Sequence, residues 1–280
     1  MDYSGPYAKE LQLACLTVQR ATLLTKKLLA AVDKGSLDKS DDSPVTIADF
    51  AAQALIIGAI HQAFPEDEFV GEEDSTALRQ DPTLLDRAWE LVVSTRLDDE
   101  ASESLLYAPG TKQEMLQLID LGAQGQCTPR SRAWVLDPVD GTATFMQGQQ
   151  YAVCLSLVEN GQQKVGVLGG PNLRLETGRI QEDVVDPDGY GYQLLAIAGQ
   201  GAWARKMGTG ALLPANKLEP VSQITEPAIS GSSIARRRPR PTMNCIRGLR
   251  LDWGLRGLLM SISGLPNYDM WRLLREGAMC

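Results

Sequence analysis

Histidine is nearly missing from this sequence: His61, in "GAIHQAF", is the only one among 280 residues. That leaves little room for histidine-based nucleophilic catalysis or a histidine-rich metal site, and a lone histidine on the polar side of a helix is a surface residue. Cysteines are few, odd in number and scattered (Cys15, Cys127, Cys154, Cys245, Cys280), with no CxxC spacing. The pattern suits reduced thiols in a cytoplasmic protein, not a disulfide frame or a zinc site. No stretch approaches the roughly 18 consecutive apolar residues of a membrane span. The start, "MDYSGPYAKELQLA", has neither a signal peptide's basic start and apolar core nor a transit peptide's Arg/Ser bias. Cys280 stands last in "GAMC", so the prenylation pattern is missing too. Positive charge is in deficit at a net −8, which argues against nucleic-acid binding. A small anionic substrate remains compatible, because bound divalent cations can invert a local field.

The composition that is present, 44% hydrophobic and 22% charged, is that of a globular chain able to bury a sizeable core. Leu11, Ala14, Val18, Ala21, Leu24, Leu28 and Val32 recur at helical spacing and predict a long helix from Tyr7 to about Val32. "KGSLDKSDDSPVT" breaks it. A second, alanine-rich helix is expected over Thr46–Phe64, stopped by Pro65, followed by a short strand running into the acidic loop "EFVGEED". The span from about Ser75 to Arg132 has little strand character, and "TLLDRAWELVVSTRL" and "TKQEMLQLIDLGA" read as helices. Then "AWVLD", "QYAVCLSLVENG", "QKVGVLGGPNL" and "GYQLLAIAGQGAWAR" read as strands with Asn-Gly and Gly-Gly turns. Helices first and strands after suggest a layered α/β fold.

Carboxylates stand at three places where the chain changes direction. Asp49 opens the second helix, Glu72 and Glu73 follow the short strand, and Asp137 and Asp140 end "AWVL" in "DPVDGT". Each has an ordinary reading alone: a first-turn dipole partner, a solvated loop, a turn. Together they suit magnesium, which takes hard oxygen ligands from one or two carboxylates with water and substrate phosphate completing the shell. Two carboxylates in DxxD, with a backbone carbonyl between them, can serve two ions in an in-line phosphoryl transfer. A bound cation would also relieve the repulsion among them. Thr142, just after Asp-Gly, can orient a water that Asp49 polarises.

The stretches "DDSPVTIADFAAQ", "VGEEDS", "WVLDPVDGTATF" and "QGQQYAVCLSLVENGQQKVGVLGGPNL" resemble the 3'(2'),5'-bisphosphate nucleotidases, within the magnesium-dependent, lithium-sensitive superfamily that includes inositol monophosphatase. The likeness covers about residues 7–205, with several motifs in order at family spacing. It implies a layered αβαβα sugar-phosphatase-like fold and hydrolysis of the 3'-phosphate of adenosine 3',5'-bisphosphate to AMP, often with action on the 5'-phosphosulfate analogue. By resemblance, Glu72, Asp137, the Val139 carbonyl and Asp140 bind Mg²⁺, and Asp49 and Thr142 activate the attacking water. Gly141 and Thr142 sit where the substrate phosphate docks. The implied partner is a small nucleotide bisphosphate, acted on by a cytoplasmic monomer with no nucleic-acid or membrane partner.

The resemblance ends toward the C-terminus. The family's later Trp-Asp-x-Ala-x-Gly motif, whose aspartate completes the metal site, is not found; "LDWGLRG" holds Asp252 and Trp253 in reversed order. "SGSS" lacks the histidine that accompanies it in the nucleotidase branch, and Arg236, Arg237 and Arg238 match no family position. We therefore expect an N-terminal metal-binding subdomain over residues 1–160, a partial C-terminal α/β subdomain over 161–235, and an aberrant, poorly packed tail over 236–280. Read one nucleotide earlier, the codons for Pro266 to Trp271 spell a peptide like the helix that precedes the missing motif. The tail thus reads as frame-shifted from about Ser233. Two alternatives to the nucleotidase stay open: a non-catalytic truncated or frame-shifted relative, and an inositol-phosphate phosphatase.

Overall fold

The computed structural model describes residues 3–33, 43–125, 128, 130–176 and 181–218. The expected tail over 236–280 lies outside the described residues, as do Cys127, Cys245 and Cys280.

Two long helices and one sheet set the architecture. Helix α1 (Ala8–Asp33) and helix α2 (Ser43–Ala63) pack on each other. Both lie against a seven-stranded sheet whose order in space follows its order in sequence. The strands are β1 (Glu68–Val70), β2 (Arg132–Asp140), β3 (Ala152–Glu159), β4 (Gln162–Gly170), β5 (Tyr192–Ile197), β6 (Gly201–Lys206) and β7 (Asn216–Lys217). Among the described residues, only β1 and β2 pair in parallel. A parallel pair needs a long crossover, and the described residues between them supply it as helices: α3 (Thr76–Gln80), α4 (Pro82–Ser94), α5 (Glu100–Glu103) and α6 (Lys112–Gln124). Every later pair is antiparallel. A further short helix, α7 (Thr142–Met146), follows β2.

The mixed α/β fold is the one expected, and the described residues supply one helical layer and one sheet of it. Alternation along the strands sorts the core. Val153, Leu155, Leu157, Val165, Val167, Leu195 and Ile197 join the main core under α1 and α2. Cys154, Leu168, Leu194, Ala196 and Ala204 form a smaller cluster on the opposite face. The expected boundary at 160/161 falls in a hairpin turn, where Asn160 (φ 53°) and Gly161 (φ 70°) take the left-handed conformations of a two-residue loop. The sheet continues across it.

Two expectations are corrected. Gly169-Gly170 is the end of β4 and not a turn. A Cβ on Gly169 would stand 2.8 Å from Val18 Cγ1 and 2.9 Å from Thr22 Oγ1, so this glycine lets α1 approach the sheet. And "GYQLLAIAGQGAWAR" is two strands, folded back at Gly199 (φ 73°) and Gly201 (φ 107°).

Helix α1 also departs from a simple amphipathic pattern. Its polar residues Thr17, Gln19, Arg20, Thr22 and Thr25 are buried along with its apolar ones, because the sheet covers one side and α2 with the α5 region covers the other. Buried polar groups need partners. Arg20 donates to Glu103 (3.1 Å) and to the carbonyls of Leu55 (3.3 Å) and Tyr107 (2.6 Å), and Gln19 donates to the Gly210 carbonyl (2.6 Å). Helix α2 is long and apolar enough over Val45–Ala63 to cross a membrane by composition, yet 83% of that stretch is buried inside the fold, as in a core helix.

Candidate active site

Strand register accounts for the two aspartates of "DPVDG". Asp137 pairs with Cys154 and Asp140 pairs with Ala152, so three steps along β2 match two along β3. The extra residue is a bulge, placed where Pro138 has no N–H to give to the ladder. In a regular strand, residues three apart point to opposite faces. Here the bulge sets Asp137 and Asp140 opposite Cys154 and Ala152, which share a face, so the two aspartates share it too. Leu136 and Val139 stay in the main core. Gly141 then turns the chain with φ 99° and begins α7. A Cβ there would meet Thr144 Oγ1 at 2.9 Å, whose hydroxyl donates to the Gly141 carbonyl at 2.8 Å.

Asp49 comes to this region from α2. It is 6% exposed, Asp137 is 4% exposed, Glu73 is half-buried and Glu72 exposed. Burial pushes the Asp49 carboxyl well above the usual carboxylate range, and the charges of Glu73, Glu72 and Asp137, in that order, push it further. Glu73 is itself raised to about 7, by burial and then by Glu72 and Asp74. Asp49 Oδ1 is buried and has no hydrogen-bond partner among the described residues. Three segments distant in sequence therefore place like charges close together around Asp49.

The site is not a finished cage. Among the described residues, no three His, Cys, Asp or Glu side chains stand together as a ready metal site. Nor are Asp49 and Thr142 hydrogen-bonded: Thr142 is exposed at the start of α7, which packs against α2. Asp49, Glu72 and Asp137 are brought into one electrostatic group. Asp140, the Val139 carbonyl, Gly141 and Thr142 follow on the bulge and turn beside it. Glu73, grouped with the other carboxylates in the sequence but given no ligand or catalytic role there, is the largest charged contributor to the shift at Asp49. Its only signal in the sequence was a second glutamate in "GEED".

The model of the inositol monophosphatase family matches residues 8–250. The chain belongs to the inositol monophosphatase family. Among curated relatives, an Emericella nidulans protein named 3'(2'),5'-bisphosphate nucleotidase is 44% identical over 211 residues, covering 73% of this chain and 60% of that one. A Candida albicans 3'(2'),5'-bisphosphate nucleotidase 2 is 45% identical over 172 residues, covering 60% and 48%. A Schizosaccharomyces pombe protein named 3'(2'),5'-bisphosphate nucleotidase is 44% identical over 169 residues, covering 59% and 47%. This family member thus spans about half to three-fifths of the length of the curated relatives it matches.

Proposed function

We propose that this chain carries the metal-holding and water-activating half of a phosphatase site, acting on the 3'-phosphate of adenosine 3',5'-bisphosphate, and on the phosphosulfate analogue, to release phosphate. The observation that supports it is the buried Asp49 carboxylate, with an unpartnered oxygen, raised by Glu73, Glu72 and Asp137. Carboxylates crowded in this way either hold protons or face a cation.

The donor set fits a hard divalent ion: carboxylate oxygens and one backbone carbonyl, with no sulfur or imidazole. Glu72, Asp137, Asp140 and the Val139 carbonyl are the groups that would hold Mg²⁺. When bound, the ion would neutralise this negative charge, polarise the phosphoryl oxygens and lower the pKa of a coordinated water. Asp49 takes the proton of the attacking water at its carboxylate. Thr142, exposed on a helix packed against α2, offers its hydroxyl to orient that water. The Gly141 turn, with no side chain, leaves room for the substrate phosphate against the start of α7.

A second reading rests on one sequence observation, the missing Trp-Asp-x-Ala-x-Gly: a non-catalytic relative that binds the cation weakly and turns nothing over. Release of inorganic phosphate by the 280-residue chain, with adenosine 3',5'-bisphosphate and inositol 1-phosphate compared with and without Mg²⁺, separates the readings. Mg²⁺-dependent release from the nucleotide, abolished by Asp49→Asn, is the expected result. Preference for inositol 1-phosphate would assign the sugar-phosphate substrate instead, and no release from either would favour the non-catalytic relative. Sequencing the transcript past codon 230 tests the frame shift.

A further inference from the structure

The acidic loop after β1 is tied to the rest of the fold at three places. At its start, Gly71 N–H donates to the Gly122 carbonyl on α6 at 2.9 Å. At its end, Asp120 of α6 accepts from Ser75 N–H and Ser75 Oγ, each at 2.9 Å, and from Arg79 at 2.8 Å. Both of these ties lead to α6. The tie between them is different. Gln53, fully buried on α2, accepts from Glu73 N–H through Oε1 at 3.2 Å and donates from Nε2 to the Glu73 carbonyl at 2.7 Å. The same Nε2 donates to the Ile119 carbonyl at 3.0 Å. One side chain thus grips both backbone groups of Glu73, and it stands one helical turn from Asp49 on the same helix.

The surrounding glycines fit this clamp. A Cβ on Gly71 would lie 2.5 Å from Gln53 Oε1, and one on Gly122 would lie 2.7 Å from Gln53 Nε2. Gly71 is not among the residues with positive φ, so backbone conformation does not call for glycine there. The room taken by the glutamine amide does.

We propose that Gln53 is a positioning residue, which sets the Glu72–Glu73 backbone at a fixed distance from Asp49. It touches no reacting atom; it acts through the loop that carries Glu72. The proposal rests on the reading of Glu72 and Asp137 as cation ligands, in the way that groups behind a metal's ligands set their orientation.

The test uses the full chain, Mn²⁺ as a spectroscopic stand-in for Mg²⁺, and two variants that strike the clamp from opposite sides. Gln53→Leu removes both ends of the amide, and Gly71→Ala displaces it while the glutamine itself is kept. Ile60→Ala, a buried cavity on the same helix, is the control for simple destabilisation. Mn²⁺ affinity by electron paramagnetic resonance and amide hydrogen exchange over residues 72–75 are the readouts. Expected are faster exchange at Glu73 in both clamp variants and Mn²⁺ affinity weakened about tenfold or more, neither of which Ile60→Ala reproduces. If Gln53→Leu does not fold, Gly71→Ala decides alone. Unchanged exchange at Glu73, or faster exchange with unchanged Mn²⁺ affinity, overturns the positioning role. Should the wild-type chain bind no Mn²⁺, the cation reading fails, and the positioning role falls with it even if exchange shows that the clamp is real.

Discussion

Asp137 and Asp140 lie opposite Cys154 and Ala152 across the β2–β3 ladder, and one surplus residue in β2 brings them to the same face of the sheet. The bulge accommodates a proline that has no N–H to give, and the turn after it takes the positive φ that favours a glycine. Deleting Val139 should restore regular pairing, leaving Asp137 and Asp140 two residues apart and still on one face, and should take away the Val139 carbonyl between them. The expected result is a folded protein by circular dichroism with Mn²⁺ affinity weakened at least tenfold; unchanged affinity would show that the bulge is incidental.

Gly141 gives a second test of the same turn. Its φ of 99° is a conformation that residues with a Cβ rarely adopt, and a Cβ would press on Thr144 Oγ1. Gly141→Ala should cost roughly 1–3 kcal/mol, seen as a Tm several degrees lower. An unaltered Tm would mean that the turn relaxes freely.

The acidic group makes the cation-free protein pH-sensitive. Glu73 is raised from the ordinary 4.5 to about 7, so the folded state binds its proton more tightly than the unfolded chain does. Its stabilisation is full below about pH 4.5 and is lost as pH rises through about 7. Without Mg²⁺, denaturant titrations should show stability falling between pH 5 and pH 8. Glu73→Gln should flatten that fall, by up to about 2 kcal/mol once the partial exposure of Glu73 is discounted. A wild-type profile that rises over this range would contradict the assignment.

Burial also silences a thiol. The Cys15 thiol is pushed up to about 11 by burial, partly countered by Arg205, whose Nη2 lies 3.5 Å from Cys15 Sγ. Thiolate is the reactive form, so iodoacetamide at pH 8 should leave Cys15 unmodified in the folded protein and label it after denaturation. Rapid labelling of Cys15 in the native state, mapped by mass spectrometry, would show that α1 does not stay on the sheet.

How much of this could be read from the sequence depended on how local each cause was. The Asn160-Gly161 hairpin, the α1 and α2 helices and the turn at Gly141 follow from residues within a few positions of each other. The place of Gly169 does not, because its reason is Val18 and Thr22 on a helix far away in sequence. The same holds for the site. "DPVDG" announced itself by composition, whereas Glu73 and Gln53 are distinguished only by what the fold packs around them. Gln53 reads as one more polar position in an alanine-rich helix until α6 and the acidic loop close over it.

The measurement that bears most directly on the central claim is a Mn²⁺ titration of the wild-type chain beside Asp137→Asn and Asp140→Asn, followed by electron paramagnetic resonance. Each change replaces a charged oxygen donor with a neutral amide of the same shape. If the acidic group is a cation site, the wild type binds Mn²⁺ in competition with Mg²⁺, and both variants bind it at least tenfold more weakly. Equal affinity in all three proteins, or no binding in the wild type, would contradict it.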